Sequence, residues 1–177
     1  PKVLFEGCAS GGNRFDLGVL CYYPQIWASD NTDAVSRLDI QNGYSYGYPQ
    51  STYTAHVSSC PNHQTLRITP MESRFAVASF GVLGYELNLN DAKSEDVASV
   101  EAQIELYKQY RKTLQFGDFY RLKSGNICEW SIVSRDKSQA VTMVMQREVK
   151  PNNPYLRIEQ AGLDENAKYH FYGRKLE

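Results

Sequence analysis

The stretch KVLFEGCASGGNRFDLGVLCYYPQIWASDNTD (residues 2–33) decides the fold, because one pattern occurs in it twice. A short run of β-forming residues, 2–7 and then 24–28, is each time followed by a polar loop, 8–16 and then 29–33. The Ser, Asp, Asn and Thr of the second loop are good helix N-caps, so a helix is predicted to start at its end. Strand, loop, strand, loop and helix in this order indicate an α/β unit.

The chain changes character near Gly117. Before this residue, the pattern of apolar residues predicts a buried helix over 71–87 and an amphipathic helix over 94–114. After it, short runs rich in β-branched and aromatic residues predict an antiparallel sheet. These runs are 119–122, 127–134, 140–146, 155–159 and 169–172. The order of elements therefore predicts the end of an α/β unit followed by a β domain.

Composition excludes several classes of protein. The 177 residues carry 19 Lys and Arg against 20 Asp and Glu, a net charge of −1, which lacks the basic footprint of a nucleic-acid binder. The most apolar run, 75–85, is far shorter than the roughly 20 residues that a membrane helix needs. We therefore expect a globular protein with no nucleic-acid or membrane partner. Because a strand begins directly after Pro1, we also expect a chain cut or processed at its N-terminus.

The four cysteines show no Cys-x-x-Cys spacing and are too sparse for a disulfide framework. We expect free thiols in a reducing, cytoplasmic compartment. Cys60 and His63 have the spacing of half a zinc site, whereas His56 fits no common ligand spacing. Buried thiols and hydrogen-bonded histidines are the favoured interpretation, so no metal and no cofactor is expected.

The loop 29–33 contains two carboxylates that follow a predicted strand. In a barrel, loops at the carboxyl ends of the strands carry the chemistry, and an Asp held there is suited to act as a general acid. Spacing alone favours the simpler interpretation, in which Asp30 or Asp33 caps the next helix. The two residues could also divide the work, with Asp33 near the cap and Asp30 projecting into a pocket.

The Gly-rich loop 8–14 offers backbone N–H groups to a ligand, although an ordinary strand-to-helix turn is the favoured alternative. It lacks the lysine of a P-loop and the glycine spacing of a dinucleotide-binding loop. Trp27 could form an apolar wall against a sugar ring or simply pack in the core. The tyrosines of the run 43–49 have the same two alternatives, and packing is favoured.

Four segments of the sequence resemble the retaining α-galactosidases of glycoside hydrolase family 36. They are FEGCASGGNRFDLGVLCYYPQIWASDNTDA (5–34), IQNGYSYGYP (40–49), TAHVSSCPNHQTLR (54–67) and ELYKQYRKTLQFGDFYRL (105–122). The resemblance implies the C-terminal portion of a (β/α)8 barrel, its last two strands and helices, over residues 1–116. It implies the start of an antiparallel β domain over residues 117–177.

The resemblance also implies an activity, the hydrolysis of terminal α-galactosyl groups from oligosaccharides such as melibiose and raffinose. The family uses two carboxylates and retains the anomeric configuration. Asp30 matches the general acid/base of the family's Ser-Asp-x-Thr-Asp motif. Cys8 and Gly11 match residues that approach the galactose 2-hydroxyl, and Trp27 matches an aromatic contact in the galactose site. Supporting roles are implied for two further motif positions, Arg14 and Asp33.

The family's nucleophile is the Asp of a Lys-x-Asp motif on an earlier barrel strand, a few dozen residues before the Cys8 loop. Those residues are not among the 177, so we expect this chain alone to be inactive. The resemblance further implies a homo-oligomer in the full-length protein. Two alternatives stay open. One is a related enzyme, a raffinose-synthase-like galactosyltransferase or an α-N-acetylgalactosaminidase. The other is a non-catalytic sugar-binding or structural fragment, in which Asp30 is only a cap.

Overall fold

The computed structural model describes residues 2–8, 13, 15–88, 90–91, 94–152 and 155–173. Within these residues the chain forms a parallel sheet, three helices and an antiparallel sheet. The parallel strands are β1 (Glu6–Gly7), β2 (Gln25–Trp27), β3 (Tyr53–Ser58) and β4 (Val82–Glu86). The helices are α1 (Ala34–Tyr44), α2 (Met71–Ala78) and α3 (Ser94–Phe116). The antiparallel strands are β5 (Asp118–Lys123), β6 (Ile127–Val133) and β7 (Ala140–Gln146).

The parallel sheet has the order β1-β2-β3-β4, with a helix after each of the last three strands. This is the arrangement of a sector of a β/α barrel, and the antiparallel sheet follows it as expected. The predicted fold class is therefore confirmed. The sheet contributes four strands where two were expected. The boundary between residues 116 and 117 remains a prediction.

Alternation along β3 separates the two faces of the parallel sheet. Ala55 and Val57 are buried in the hydrophobic core with Phe75 and Val77 of α2. Successive side chains of a strand point to opposite faces, so His56 lies on the other face, which is the interior side of a barrel. There its ring contacts the ring of Trp27.

One hydrophobic core joins the two sheets. The ring of Phe80, which precedes β4, lies 5.8 Å from that of Trp130 in β6 and 6.3 Å from that of Phe119 in β5. Offset and edge-on aromatic pairs at such distances are favourable beyond the area that they bury. The antiparallel sheet is therefore fixed against the helical layer by apolar contacts.

The predicted helix over 71–87 is wrong in its second half. Helix α2 ends at Ala78, and the chain turns at Gly81 into the strand β4. A Cβ at Gly81 would lie 2.9 Å from the Cβ of Ala55, so the turn fits closely against β3. Continuous apolar character does not distinguish a buried helix from a buried parallel strand, and here the pairing of β4 with β3 decides the outcome.

The strands predicted over 155–159 and 169–172 are also wrong, since neither segment enters a sheet. The first is held to the antiparallel sheet by side chains instead. The backbone N–H of Glu159 donates to the buried carboxylate of Glu129 over 2.6 Å, and Lys123 donates to the carbonyl of Arg157. High β propensity without a neighbouring strand therefore leaves an extended segment. No helix in the described ranges is both long enough and apolar enough to cross a membrane.

Candidate active site

The carboxyl ends of the four parallel strands lie at one edge of the sheet, so the loops that follow them meet there. The loop after β2 contains both candidate carboxylates. The loop 59–70 after β3 is attached to it, because Asn62 Nδ2 donates to Thr32 Oγ1 over 3.1 Å. In addition, Ser58 Oγ donates to the Thr32 carbonyl over 3.1 Å. The two loops therefore form one connected surface.

Asp33 is the N-cap of α1. Its Oδ2 accepts hydrogen bonds from the backbone N–H and the hydroxyl of Ser36, over 3.1 and 3.0 Å. The same oxygen forms an ion pair with Arg67 Nε over 3.2 Å. The carboxylate is buried and its partners are supplied by the protein. Asp33 thus has a structural position beside the site.

Asp30 has the opposite environment, because it is exposed and caps no helix. Its Oδ1 accepts a hydrogen bond from the indole Nε1–H of Trp27 over 3.1 Å. This contact holds the carboxylate from the side of the sheet and leaves its other oxygen open. The division of work between Asp33 and Asp30 considered from the sequence matches this geometry, while the catalytic role of Asp30 stays a prediction.

Arg37 of α1 fixes the backbone of the Asp30 loop. Its guanidinium donates to the carbonyls of Ser29 and Asn31 over 2.7 and 2.8 Å, and to the carbonyl of Thr54 in β3 over 3.1 Å. Burial lowers the pKa of Arg37 to about 10, so the group remains a cation at neutral pH. A buried cation bonded to three carbonyls restricts the loop on both sides of Asp30.

Trp27 lies between two side chains from different elements. The ring of His56 meets it edge-on, with 4.4 Å between centroids and 68° between planes, and the guanidinium carbon of Arg37 is 5.4 Å from its centroid. Trp27 is 9% exposed, so its ring packs in the core while its N–H reaches the site. Burial, together with the charge of Arg37, lowers the pKa of His56 to about 4, which keeps the imidazole neutral.

The other predicted site residues are placed as follows. Cys8 is exposed directly after β1, at the same edge of the sheet. Gly11 and Arg14 lie outside the described residues. Cys60 and His63 are exposed in the loop after β3, and no three metal-ligating side chains come together within the described part of the chain.

The tyrosine run packs against the Gly-rich segment, as favoured from the sequence. The ring of Phe15 is 4.7 Å from that of Tyr44 and 4.1 Å from that of Tyr48. The hydroxyl of Tyr44 donates to the carbonyl of Ala28 over 3.0 Å. Both tyrosines also line an open cavity of about 490 Å³ beside Ser29.

Sequence reasoning missed three residues that support the site, Arg37, His56 and Arg67. For His56 a signal was present, because residues 54–58 alternate polar and apolar side chains as a half-buried strand does. Nothing local indicates that Arg37 bonds to three separate carbonyls or that Arg67 pairs with Asp33.

Comparison with known proteins gives a consistent result. Residues 1–117 match the melibiase family model, and residues 127–177 match the glycosyl hydrolase family 36 C-terminal domain. The chain is 49% identical to alpha-galactosidase 1 of Pediococcus pentosaceus, over 96% of this chain. It is 44% identical to alpha-galactosidase AgaA of Geobacillus stearothermophilus, over 98%.

Solved structures agree. The α-galactosidase of Lactobacillus brevis superposes with a TM-score of 0.91 at 50% identity, covering 93% of this chain and 23% of that one. A variant of AgaA in complex with raffinose gives the same TM-score at 44% identity and the same two coverages. The chain spans about a quarter of the length of the curated relatives that it matches, 24% for both relatives above. On the family models and these identities, the chain belongs to the melibiase family, the family 36 glycoside hydrolases that include these α-galactosidases.

Proposed function

We propose that this chain supplies the acid/base part of the active site of a retaining α-galactosidase, with Asp30 as the general acid and base. The observation that supports the proposal most directly is the exposed carboxylate of Asp30, which is held by the N–H of Trp27 beyond the end of β2. The neighbouring Asp33 is already bonded to Ser36 and Arg67 and is therefore unsuited to exchange protons with a substrate.

The proposed reaction has two displacements. In the first, a nucleophilic carboxylate attacks the anomeric carbon, while protonated Asp30 donates its proton to the glycosidic oxygen and the leaving sugar departs. In the second, ionised Asp30 takes a proton from water, whose oxygen attacks the same carbon and releases the nucleophile. Each step inverts the anomeric centre, so the product keeps the configuration of the substrate.

The proposed substrates are oligosaccharides with a terminal α-galactosyl group. AgaA variants have been solved in complex with raffinose and with stachyose, which supports this class of substrate. By the resemblance, Cys8, Gly11 and Trp27 contact the galactosyl group. Trp27 is suited to this as well as to its bond with Asp30, because an indole combines a polar N–H with a large apolar face. In this proposal Arg14 and Asp33 support the site.

The nucleophile is proposed to come from residues other than these 177. Its motif is Lys-x-Asp, and no such triplet occurs in the sequence. The isolated chain is therefore proposed to be inactive. The proposal also includes a homo-oligomer for the full-length protein and a cytoplasmic location.

The test uses AgaA in which this chain replaces the aligned 176 residues, since the two are 44% identical there. We expect Asp30→Asn to lower kcat on raffinose by about 10²- to 10⁴-fold. Turnover of 4-nitrophenyl α-galactoside falls much less, because 4-nitrophenolate needs little protonation to leave. Azide restores turnover of the aryl substrate, because it attacks the galactosyl-enzyme without needing a base, and the product is an α-galactosyl azide.

Asp33→Asn is the matched control, and we expect it to lower stability without changing the ratio of the two rates. Equal loss of both rates in Asp30→Asn, or no loss, would refute the assignment. If the chimera transfers galactose to sucrose faster than to water, the enzyme is a galactosyltransferase. If it prefers N-acetylgalactosaminides, it is the corresponding hexosaminidase.

A further inference from the structure

The search for further sites leads back to His56, a buried titratable side chain that the proposed reaction does not use. Its Nδ1 is buried and has no hydrogen-bond partner in the described structure. An imidazole that makes no polar contact at this nitrogen has lost hydration without compensation. Such a residue needs another reason for its position.

The position of His56 is set by Gly84. The two residues are paired in the register of β3 and β4, and the ring of His56 occupies the space above Gly84. A Cβ at Gly84 would be closer to Nε2 of His56 than van der Waals contact allows. The absence of a side chain at residue 84 therefore gives the imidazole its place on the interior face of the sheet.

From this place His56 supports Trp27. The imidazole meets the indole edge-on at 4.4 Å, and Trp27 in turn donates its N–H to Asp30 over 3.1 Å. The four residues Gly84, His56, Trp27 and Asp30 come from β4, β3, β2 and the loop after β2, so they form a continuous series of contacts across the sheet.

We propose that His56, seated over Gly84, is a positioning residue that fixes the indole of Trp27 and thereby the carboxylate of Asp30. The inference deepens the proposed function and rests on it. A misplacement of about 1 Å at a reacting group is enough to cost about 10²-fold in rate. The charged groups nearest this series are Arg37 from α1, Glu86 at the end of β4 and Asp30 itself.

The first experiment needs no activity and uses the 177-residue chain. The sequence has two tryptophans, so ¹H–¹⁵N spectra contain two indole N–H signals, which Trp27→Phe assigns. We expect Asp30→Asn and His56→Ala each to shift the Trp27 signal while the Trp130 signal stays in place. His170→Ala is the control, because His170 is exposed in the C-terminal segment. An unchanged Trp27 signal in His56→Ala would overturn the inference.

The second experiment uses the AgaA chimera and kinetics. We expect His56→Ala to lower kcat on raffinose by roughly 10- to 100-fold, with KM changed less than about twofold and the aryl galactoside affected less. Gly84→Ala causes a similar loss, because its methyl group displaces the imidazole. In the double variant Gly84→Ala adds no further loss, since the displaced ring is gone.

The outcomes separate the two proposals. Additive losses in the double variant, or equal losses on both substrates, would show that His56 acts only on general stability. If Asp30→Asn leaves raffinose turnover unchanged, the proposed function fails, whereas the indole signal still reports whether His56 positions Trp27.

Discussion

Arg147 and Asp39 form a two-pronged ion pair that joins the end of β7 to the middle of α1. The guanidinium nitrogens lie 2.7 and 2.5 Å from the two carboxylate oxygens. The side chain of Arg147 is mostly buried, while that of Asp39 is 71% exposed. The pair therefore connects the two sheets by a polar contact at the rim of their shared core.

This contact makes the stability of the chain depend on pH. Its hydrogen bonds to Arg147 hold the pKa of Asp39 below its usual value. The pair therefore stabilises the fold fully above about pH 4, and its contribution is lost as the pH falls and the carboxylate is protonated. We expect Asp39→Asn to lower the free energy of unfolding by about 0.5–1 kcal/mol at pH 7. In urea titrations this difference disappears near pH 3.

The exposed pair between Lys108 and Glu105 is the control for this experiment, because both of its side chains are largely in solvent. Glu105→Gln should leave the unfolding midpoint nearly unchanged. A difference for Asp39→Asn that persists at low pH would mean that the amide disturbs packing and that charge is not the cause.

The cap of α1 gives a second prediction. Asp33→Ala removes both hydrogen bonds from Ser36 and the partner of Arg67, so we expect a loss of about 2 kcal/mol in unfolding free energy. Asp30→Ala, in contrast, removes an exposed carboxylate that caps nothing and should cost less than half as much. Circular dichroism during urea unfolding measures both. Equal losses would contradict the different positions of the two residues.

The junction between α3 and β5 gives a third prediction. A Cβ at Gly117 would lie 2.5 Å from the carbonyl oxygen of Val133 and 2.7 Å from that of Thr113, and neither backbone group is free to move. We expect Gly117→Ala to destabilise the chain by about 2–3 kcal/mol. Gly43, within α1, faces open space, so Gly43→Ala should stabilise it by up to about 1 kcal/mol. Thermal unfolding that ranks the two variants in the reverse order would contradict this account.

Local chemistry predicted the elements whose signals lie within a few residues. The capping residues before Ala34 located the start of α1, and the run 140–146 matched β7 throughout. The turn at Gly81 was missed because its cause is the fit against β3, which is distant in sequence. The segment 155–159 has β-forming residues, but no strand lies beside it to complete its hydrogen bonds.

The same distinction applies to the candidate site. The motif at residues 29–33 was enough to suggest that Asp33 caps and Asp30 is free. The residues around them were not predictable in this way, because Arg37 and His56 gain their roles from contacts across neighbouring strands. Register between strands is a property of the assembled sheet, and one sequence states it only weakly.

Pairing in sequence order has a consequence for how the chain folds. Glu6 pairs with Gln25, Ile26 with Tyr53 and Thr54 with Val82, so each strand completes its hydrogen bonds with the strand made just before it. Loops of this modest length close at low entropic cost, and proteins rich in such contacts fold quickly. During synthesis on the ribosome, every new strand emerges to find its partner already present, and the sheet can grow in the direction of translation.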